Sequence, residues 1–417
     1  METKNKIKVL ICAFACLKDP DKKYSSMAGG ETVLGWNVIL QLSRFFDISV
    51  LTHYENKEAI EKKLSGDELR GIKFYYINLP PFLNFTRKRI QIYTYLWQIK
   101  SYFFAKKLYQ KNHFDIFHHV TYSNDWMASF IGALLPIPYI RGPGGGAHRV
   151  PTAFVKEYSF KQRATEKIRS MGQWVFRQDP FFAIGQNKAK AILVCNYEAF
   201  DALPQKWQVK AYFFPVNGIL KEDLSLFKGL EASHDNFLIL TTGKLIKIKG
   251  FDLAIRAFKI FSDRVSIAQL VIVGDGSELK ILKKIVSKLS LEEKVVFEGW
   301  MPKEKLLKEM LSCDIFLFPS LRDGGGQVVV EAMAASKPVV CFDNAGPGFY
   351  IDEKCGIKIK SENPGQAVRD MADALEKLYY NKELRADLGK GAREKVEKEY
   401  SWDKLGDKLN EIYKKVL

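Results

Sequence analysis

The stretch LRDGGGQVVVEAMAASKPVV, Leu321 to Val340, sets two carboxylates, Asp323 and Glu331, on either side of three consecutive glycines. Two acids at this separation suit three roles: a catalytic pair, a metal site, or the two ends of something that holds a ligand. An acid–base pair acting on a glycosidic bond flanks it from opposite sides, which one loop–helix unit does poorly. A metal pair usually needs a third ligand, and no histidine or further carboxylate cluster stands beside these two in the sequence. A glycine-rich turn between a strand and a helix exposes backbone N–H groups and can receive an anion or a sugar hydroxyl. The bland alternative is a helix cap plus a surface glutamate.

Two other turns carry comparable features. In TTGKLIKIKGFDLAIRAF, Gly243 permits a turn, Lys244 and Lys249 bring two ammonium groups to its mouth, and Gly250 precedes a helix. Lysines beside a helix N-terminus suit a diphosphate, although the spacing is not that of a Walker A loop. In VIVGDGSEL, Gly274 to Gly276 links a strand to a helix, and Asp275 or Ser277 there reads as a cap. His118 and His119 close the run FDIFHH, where they are expected at a strand end.

These loops need strands and helices to hold them. The chain has 417 residues, 47% of them hydrophobic, which is long for one core and indicates two domains. Short apolar runs alternate with longer amphipathic ones, the pattern of parallel α/β units. Strands are expected at 8–13, 48–52, 73–77, 116–118, 138–140, 191–194 and 211–214, then at 237–241, 270–273, 295–298, 315–318, 338–342 and 356–359. The spacing therefore predicts two doubly wound domains, residues 1–216 and 217–398, with ligands bound beyond the carboxyl ends of the strands. Trp402, Leu405, Leu409, Ile412 and Tyr413 recur at helical spacing, so 399–417 is expected to be an amphipathic helix that returns to the N-terminal domain.

The formal net charge of +16 points to an anionic partner. The N-terminal run KVLICAFAC reads as a first buried strand, because its apolar core is short for a secretory signal. Cys12, Cys16, Cys195, Cys313, Cys341 and Cys355 are scattered without C-x-x-C pairing, as reduced core residues of a cytoplasmic protein are. The segment from Pro80 to Lys111 holds seven basic residues, many aromatic ones and no acid. Arg87, Lys88, Arg89, Trp97 and Lys100 in it are candidates for docking on an anionic membrane face. No nucleic-acid-binding module is present in the sequence, and nucleic acid is not expected as a partner.

The ordered set G-K-x(4)-K-G, VGDG, FEGWMP, CDIFLFPS and D-x(7)-E resembles retaining glycosyltransferases of family four, in the branch with a G-P-x-G-G-G loop, here RGPGGGAH. Gly29-Gly30-Glu31, DIFHHV and PVNG extend the resemblance over most of the chain. It implies the GT-B fold, two Rossmann-like domains facing across a cleft, and transfer of a sugar from a nucleoside diphosphate sugar to a hydroxyl acceptor. It implies that Glu331 holds the donor ribose, that Asp323 contacts the donor sugar, and that Lys244 and Lys249 face the diphosphate. Donor-binding positions carried over with them are Gly29, Gly30, Gly243, Gly274, Gly324, Gly325, Gly326 and Gln327, with His119 or His148 in the role of the family's cleft histidine. The departures are the shorter Asp323 where glutamate is usual, Lys244 where arginine is usual, and the bare Gly325. The implied proton path runs from acceptor to leaving diphosphate, with no protein base, cofactor or metal. The acceptor suggested is a lipid-linked or surface-polysaccharide precursor at the inner face of the cell membrane. A nucleotide-sugar epimerase of similar fold, or a non-enzymatic basic scaffold, are the alternatives; the first would convert a UDP-sugar without an acceptor, the second would ignore nucleotide sugars.

Overall fold

The computed structural model describes residues 6–17, 30–64, 71–227 and 236–417, and Gly29 lies outside them. These residues form two compact units.

The first unit contains β1 (Lys8–Ala13), β2 (Asp47–His53), β3 (Lys73–Ile77), β4 (Ile116–Thr121), β5 (Tyr139–Gly144), β6 (Ala191–Val194) and β7 (Ala211–Phe213). They form one sheet in the order 3-2-1-4-5-6-7, with every pairing parallel. After Lys8, every residue of β1 is buried, which is why the strand is a continuous apolar run: helices cover both faces of a parallel sheet. The helices that matter here are α1 (Gly30–Ser43), α2 (Ile90–Asn112) and α3 (Phe160–Arg177). On α2, Tyr93, Trp97, Ser101, Ala105 and Leu108 are buried at three- to four-residue spacing. The Trp97 indole donates to the Ile77 carbonyl at 2.9 Å. Trp97 is thus a core residue and not a docking residue, and Lys100 donates to the Asn78 carbonyl.

The second unit holds β8 (Phe237–Thr242), β9 (Ala268–Val273), β10 (Val295–Gly299), β11 (Ile315–Phe318), β12 (Val339–Phe342) and β13 (Gly356–Ile359), in the order 10-9-8-11-12-13, all parallel. Its helices include α4 (Phe251–Arg264), α5 (Leu279–Lys288) and α6 (Gln327–Ala334). Strand order reverses between β8 and β11. The turns leaving those two strands therefore meet at a topological switch point, where such sheets bind ligands.

Two boundaries differ from those the sequence suggests. Residues 148–163 belong to the second unit, although they precede the end of the first. The cause is apolar spacing: Val150, Phe154 and Tyr158 are buried in the second unit's core, and Phe154 meets Phe342 edge-on at 5.8 Å. The return to the first unit begins at Trp402, while Ser401 stays bridged to Ile219. The last helix, α7 (Trp402–Val416), then packs against α1. Its Tyr413 stacks on Phe46 at 5.0 Å and bonds through its hydroxyl to His118 Nδ1 at 2.8 Å.

The turns that leave β8 and β9 also lie in close contact. Gly274 has φ +136°, and a Cβ there would lie 1.9 Å from the Gly243 carbonyl oxygen. Gly274→Ala is expected to destabilise the second unit by about 2–4 kcal/mol, from the strained φ and the overlap together. Urea unfolding reads this directly, and an unchanged midpoint would show that the two turns are free to part.

Candidate active site

Lys249 ends a short 3₁₀ turn after β8, directly before Gly250, whose φ of +66° lets the backbone reverse into α4. A side chain at Gly250 would strike the Pro319 carbonyl, so this turn lies against the exit of β11. Lys249 Nζ accordingly pairs with Asp323, each side chain about one-fifth exposed, and sits 5.4 Å from the Phe318 ring centroid. Asp323 is held from behind as well. Its Oδ1 accepts from Gly325 N at 3.2 Å, and its own carbonyl accepts from Gly346 N at 2.8 Å. The AGPG segment after β12, which opens the short helix Ala345–Tyr350 and which sequence reasoning passed over, therefore buttresses the glycine loop. Its signal was present: two glycines shortly after a strand, as in the other loops.

Lys244, the second residue after β8, is exposed. Lys247, not singled out from sequence, is tied to Asp252 at 2.7 Å.

Glu331 lies one turn into α6, whose N-cap Gly326 has φ +83°. It is 5% exposed. Its Oε1 accepts from Gln327 Nε2 at 3.1 Å, and the same amide donates to the Gly218 carbonyl at 3.2 Å. Burial pushes the Glu331 carboxyl up to about 7, against the lowering influence of Lys303 and Gln327. Gln327 thus links the PVNG turn at 215–218 to the buried carboxyl, a bond with no local sequence signal. His148, carried into this unit with its segment, is buried beside the glycine loop: a Cβ at Gly324 would lie 3.3 Å from its Nε2. Asp323, Gly324, Gly325, Lys249 and His148 therefore converge, with Glu331 and Gln327 one helical turn behind the loop.

Residues 224–395, which contain all of these except His148, match the family model described as glycosyl transferases group 1. An uncharacterized glycosyltransferase of Methanocaldococcus jannaschii is 26% identical over 311 residues, 71% of this chain and 75% of its own length. The GDP-mannose-dependent alpha-(1-6)-phosphatidylinositol monomannoside mannosyltransferase of Mycobacterium tuberculosis is 29% identical over 179 residues, 41% of this chain and 46% of its own. The solved structure of Anabaena HepE in complex with UDP superposes with a TM-score of 0.63 at 15% identity, covering 98% of this chain and 100% of that one. The protein is a glycosyltransferase of the GT-B fold.

The glycosyltransferase carries its other sequence-derived candidates in the first unit. Gly30 is the exposed first residue of α1. Glu31 follows it, accepting from Tyr122 N at 3.0 Å, with its carboxyl pushed up to about 7 by burial. His118 and His119 do not end a strand: β4 continues to Thr121 and both rings are buried. His118 is enclosed by Tyr413 and by the Gly142 carbonyl at 2.7 Å. Burial and the neighbouring Arg141 push His119 down to about 3, so it is neutral at physiological pH. Its Nδ1 has no hydrogen-bond partner among the described residues. All six cysteines are buried, and none forms a disulfide. No helix among the described residues is long and apolar enough to cross a membrane.

Proposed function

We propose that this glycosyltransferase moves a hexosyl group from a UDP- or GDP-sugar to a hydroxyl of a lipid-linked or surface-polysaccharide precursor, with retention at the anomeric carbon. The observation that carries the reading is the convergence of Lys249, Asp323, the Gly324–Gly326 loop and His148 at the switch point of the second sheet, with Glu331 behind them. In this reading Glu331 receives the ribose hydroxyls and Asp323 those of the transferred sugar. Backbone N–H groups of the glycine loop and the ammonium groups of Lys249 and Lys244 meet the diphosphate. Charge grows on that diphosphate as the glycosidic bond breaks, so fixed cations there stabilise the transition state more than the ground state. His148 faces the sugar end, beside Gly324. The acceptor proton passes to the departing phosphate oxygen on the same face, which leaves no task for a protein base. UDP bound to HepE and the GDP-mannose dependence of the mycobacterial relative support a nucleotide-sugar donor, and the phosphatidylinositol monomannoside in the latter's name supports a lipid-linked acceptor.

A thermal-shift panel of UDP-, GDP- and ADP-sugars tests the donor. One base is expected to raise the unfolding temperature by several degrees at about a hundred times Kd, and Glu331→Ala is expected to abolish the rise. No response to any member of the panel would refute the reading. Peripheral attachment to the inner membrane face is part of the proposal. Phe82 and Phe85 are each 75% exposed beside the exposed Lys88 and Arg89, whereas Arg87 is committed to Glu55. Charge reversal at Arg87, Lys88 and Arg89 is expected to weaken sedimentation with anionic liposomes, and unaltered sedimentation would count against that attachment.

A further inference from the structure

Helix α3, FKQRATEKIRSMGQWVFR, turns the wrong way for a soluble protein. From Ala164 on it belongs to the first unit. Its inward face is largely polar: Arg169 and Gln173 both donate to the Gly146 carbonyl, at 2.8 and 2.7 Å, and Gln173 is its one buried residue. Phe176 alone brings a ring inward, against Trp126 at 5.5 Å and Tyr95 of α2 at 5.6 Å. The outward face is apolar. Ile168, Met171, Trp174 and Val175 recur at three- to four-residue spacing and are 64, 61, 63 and 55% exposed. Phe160, on the same face two turns earlier, is 87% exposed. The helix carries Lys161, Arg163, Lys167, Arg169 and Arg177 against a single acid, Glu166, and Lys161 and Lys167 are exposed along that apolar face.

We infer that the apolar face of α3 inserts in the plane of an anionic bilayer, and that it is the principal membrane anchor of this protein. A helix with an apolar face rimmed by lysine and arginine binds at the headgroup boundary, with the long basic side chains reaching phosphates. Charge decides against a second copy of the chain as the cover: a two-fold contact would set this cationic helix against itself. The Phe176–Tyr95 contact joins α3 to the helix that follows the turn bearing exposed Phe82 and Phe85, so neighbouring elements of one unit present both apolar features. The inference extends the membrane attachment proposed above and rests on it only for the choice of an anionic bilayer.

The test uses the full chain with phosphatidylcholine vesicles, with and without phosphatidylglycerol. Because all six native cysteines are buried, a nitroxide on Met171→Cys reports α3 selectively. The label is expected to become accessible to oxygen and shielded from a water-soluble nickel chelate when phosphatidylglycerol vesicles are added. Ile168→Ser combined with Trp174→Ser is expected to lower vesicle partition by at least about tenfold. Lys167→Glu is expected to lower it by more than roughly fivefold. In each variant the thermal response to the nucleoside diphosphate sugar stays that of the parent. Three outcomes overturn the inference: variants that sediment like the parent, a label that stays water-accessible on vesicle-bound protein, or a parent dimer that the double substitution converts to monomer. Loss of every thermal response to nucleotide sugars would instead refute the donor reading and leave the vesicle result standing.

Discussion

Replacing Lys249 by alanine is expected to lower kcat with the cognate nucleoside diphosphate sugar by about a hundred- to a thousandfold, the cost of removing one preorganised charge from a developing anion. KM should move much less, because the lysine acts most strongly where charge grows. The pair with Asp323 complicates the reading, since losing the lysine also leaves a part-buried carboxylate without its cation. Asp323→Asn combined with Lys249→Ala separates the two effects. If Lys249 only positions Asp323, the double variant is no slower than Asp323→Asn alone. If Lys249 meets the diphosphate, the double variant stays far slower. Lys249→Arg keeps the charge on a longer, planar group and should recover part of the rate. Near-normal kcat in Lys249→Ala would sink the role assigned to it.

How much of this site the sequence disclosed follows from what each part depends on. The strands were readable because a parallel strand buried on both faces is a short apolar run: IFLF of β11 and AILV of β6 could hardly be anything else. The doubly wound pattern put ligands beyond the carboxyl ends of those strands. That Lys249 and Asp323, 74 residues apart, pair with each other where β8 and β11 end is shown by the structure. What escaped were choices between two possible partners for one face. Val150, Phe154 and Tyr158 announce a buried face, but nothing local says which unit's core receives them. That choice decides where His148 goes. His118 is committed by Tyr413, 295 residues away. The aromatic residues of α2 occur all round the helix, so periodicity could not tell that Tyr93 and Trp97 turn inward while Phe103 turns out. For α3 the apolar repeat was present in the sequence, and the usual inference from such a repeat, that it faces a core, is the one the fold contradicts. A pattern names a face; only the packing of the rest names its direction.

Glu331→Gln is expected to stabilise the protein above pH 7 by an amount on the order of 3 kcal/mol, and to leave it unchanged near pH 4. The sign follows from burial. The folded carboxyl titrates near 7, above its ordinary value of 4.5, because desolvation outweighs Lys303 and Gln327. Between those two values the folded state binds the extra proton, so wild-type stability falls as pH rises from about 4.5 to 7 and is level beyond. Glutamine keeps the shape and cannot ionise, so the variant escapes that fall. Glu31 titrates in the same range, but it is present in both proteins and cancels from their difference. Equal stability differences at pH 5 and pH 8, by urea unfolding, would show that Glu331 is not held up by burial. The same titration bears on the donor. A carboxylate can accept from both ribose hydroxyls, whereas the protonated group must use one oxygen as a donor. If Glu331 anchors the ribose as proposed, binding expels its proton. Affinity for the nucleoside diphosphate sugar should then rise by up to about tenfold per pH unit below 7 and level off above it. The glutamine variant should bind more weakly with no such slope. A pH-independent affinity in the wild type would place the ribose elsewhere, whatever the stability data show.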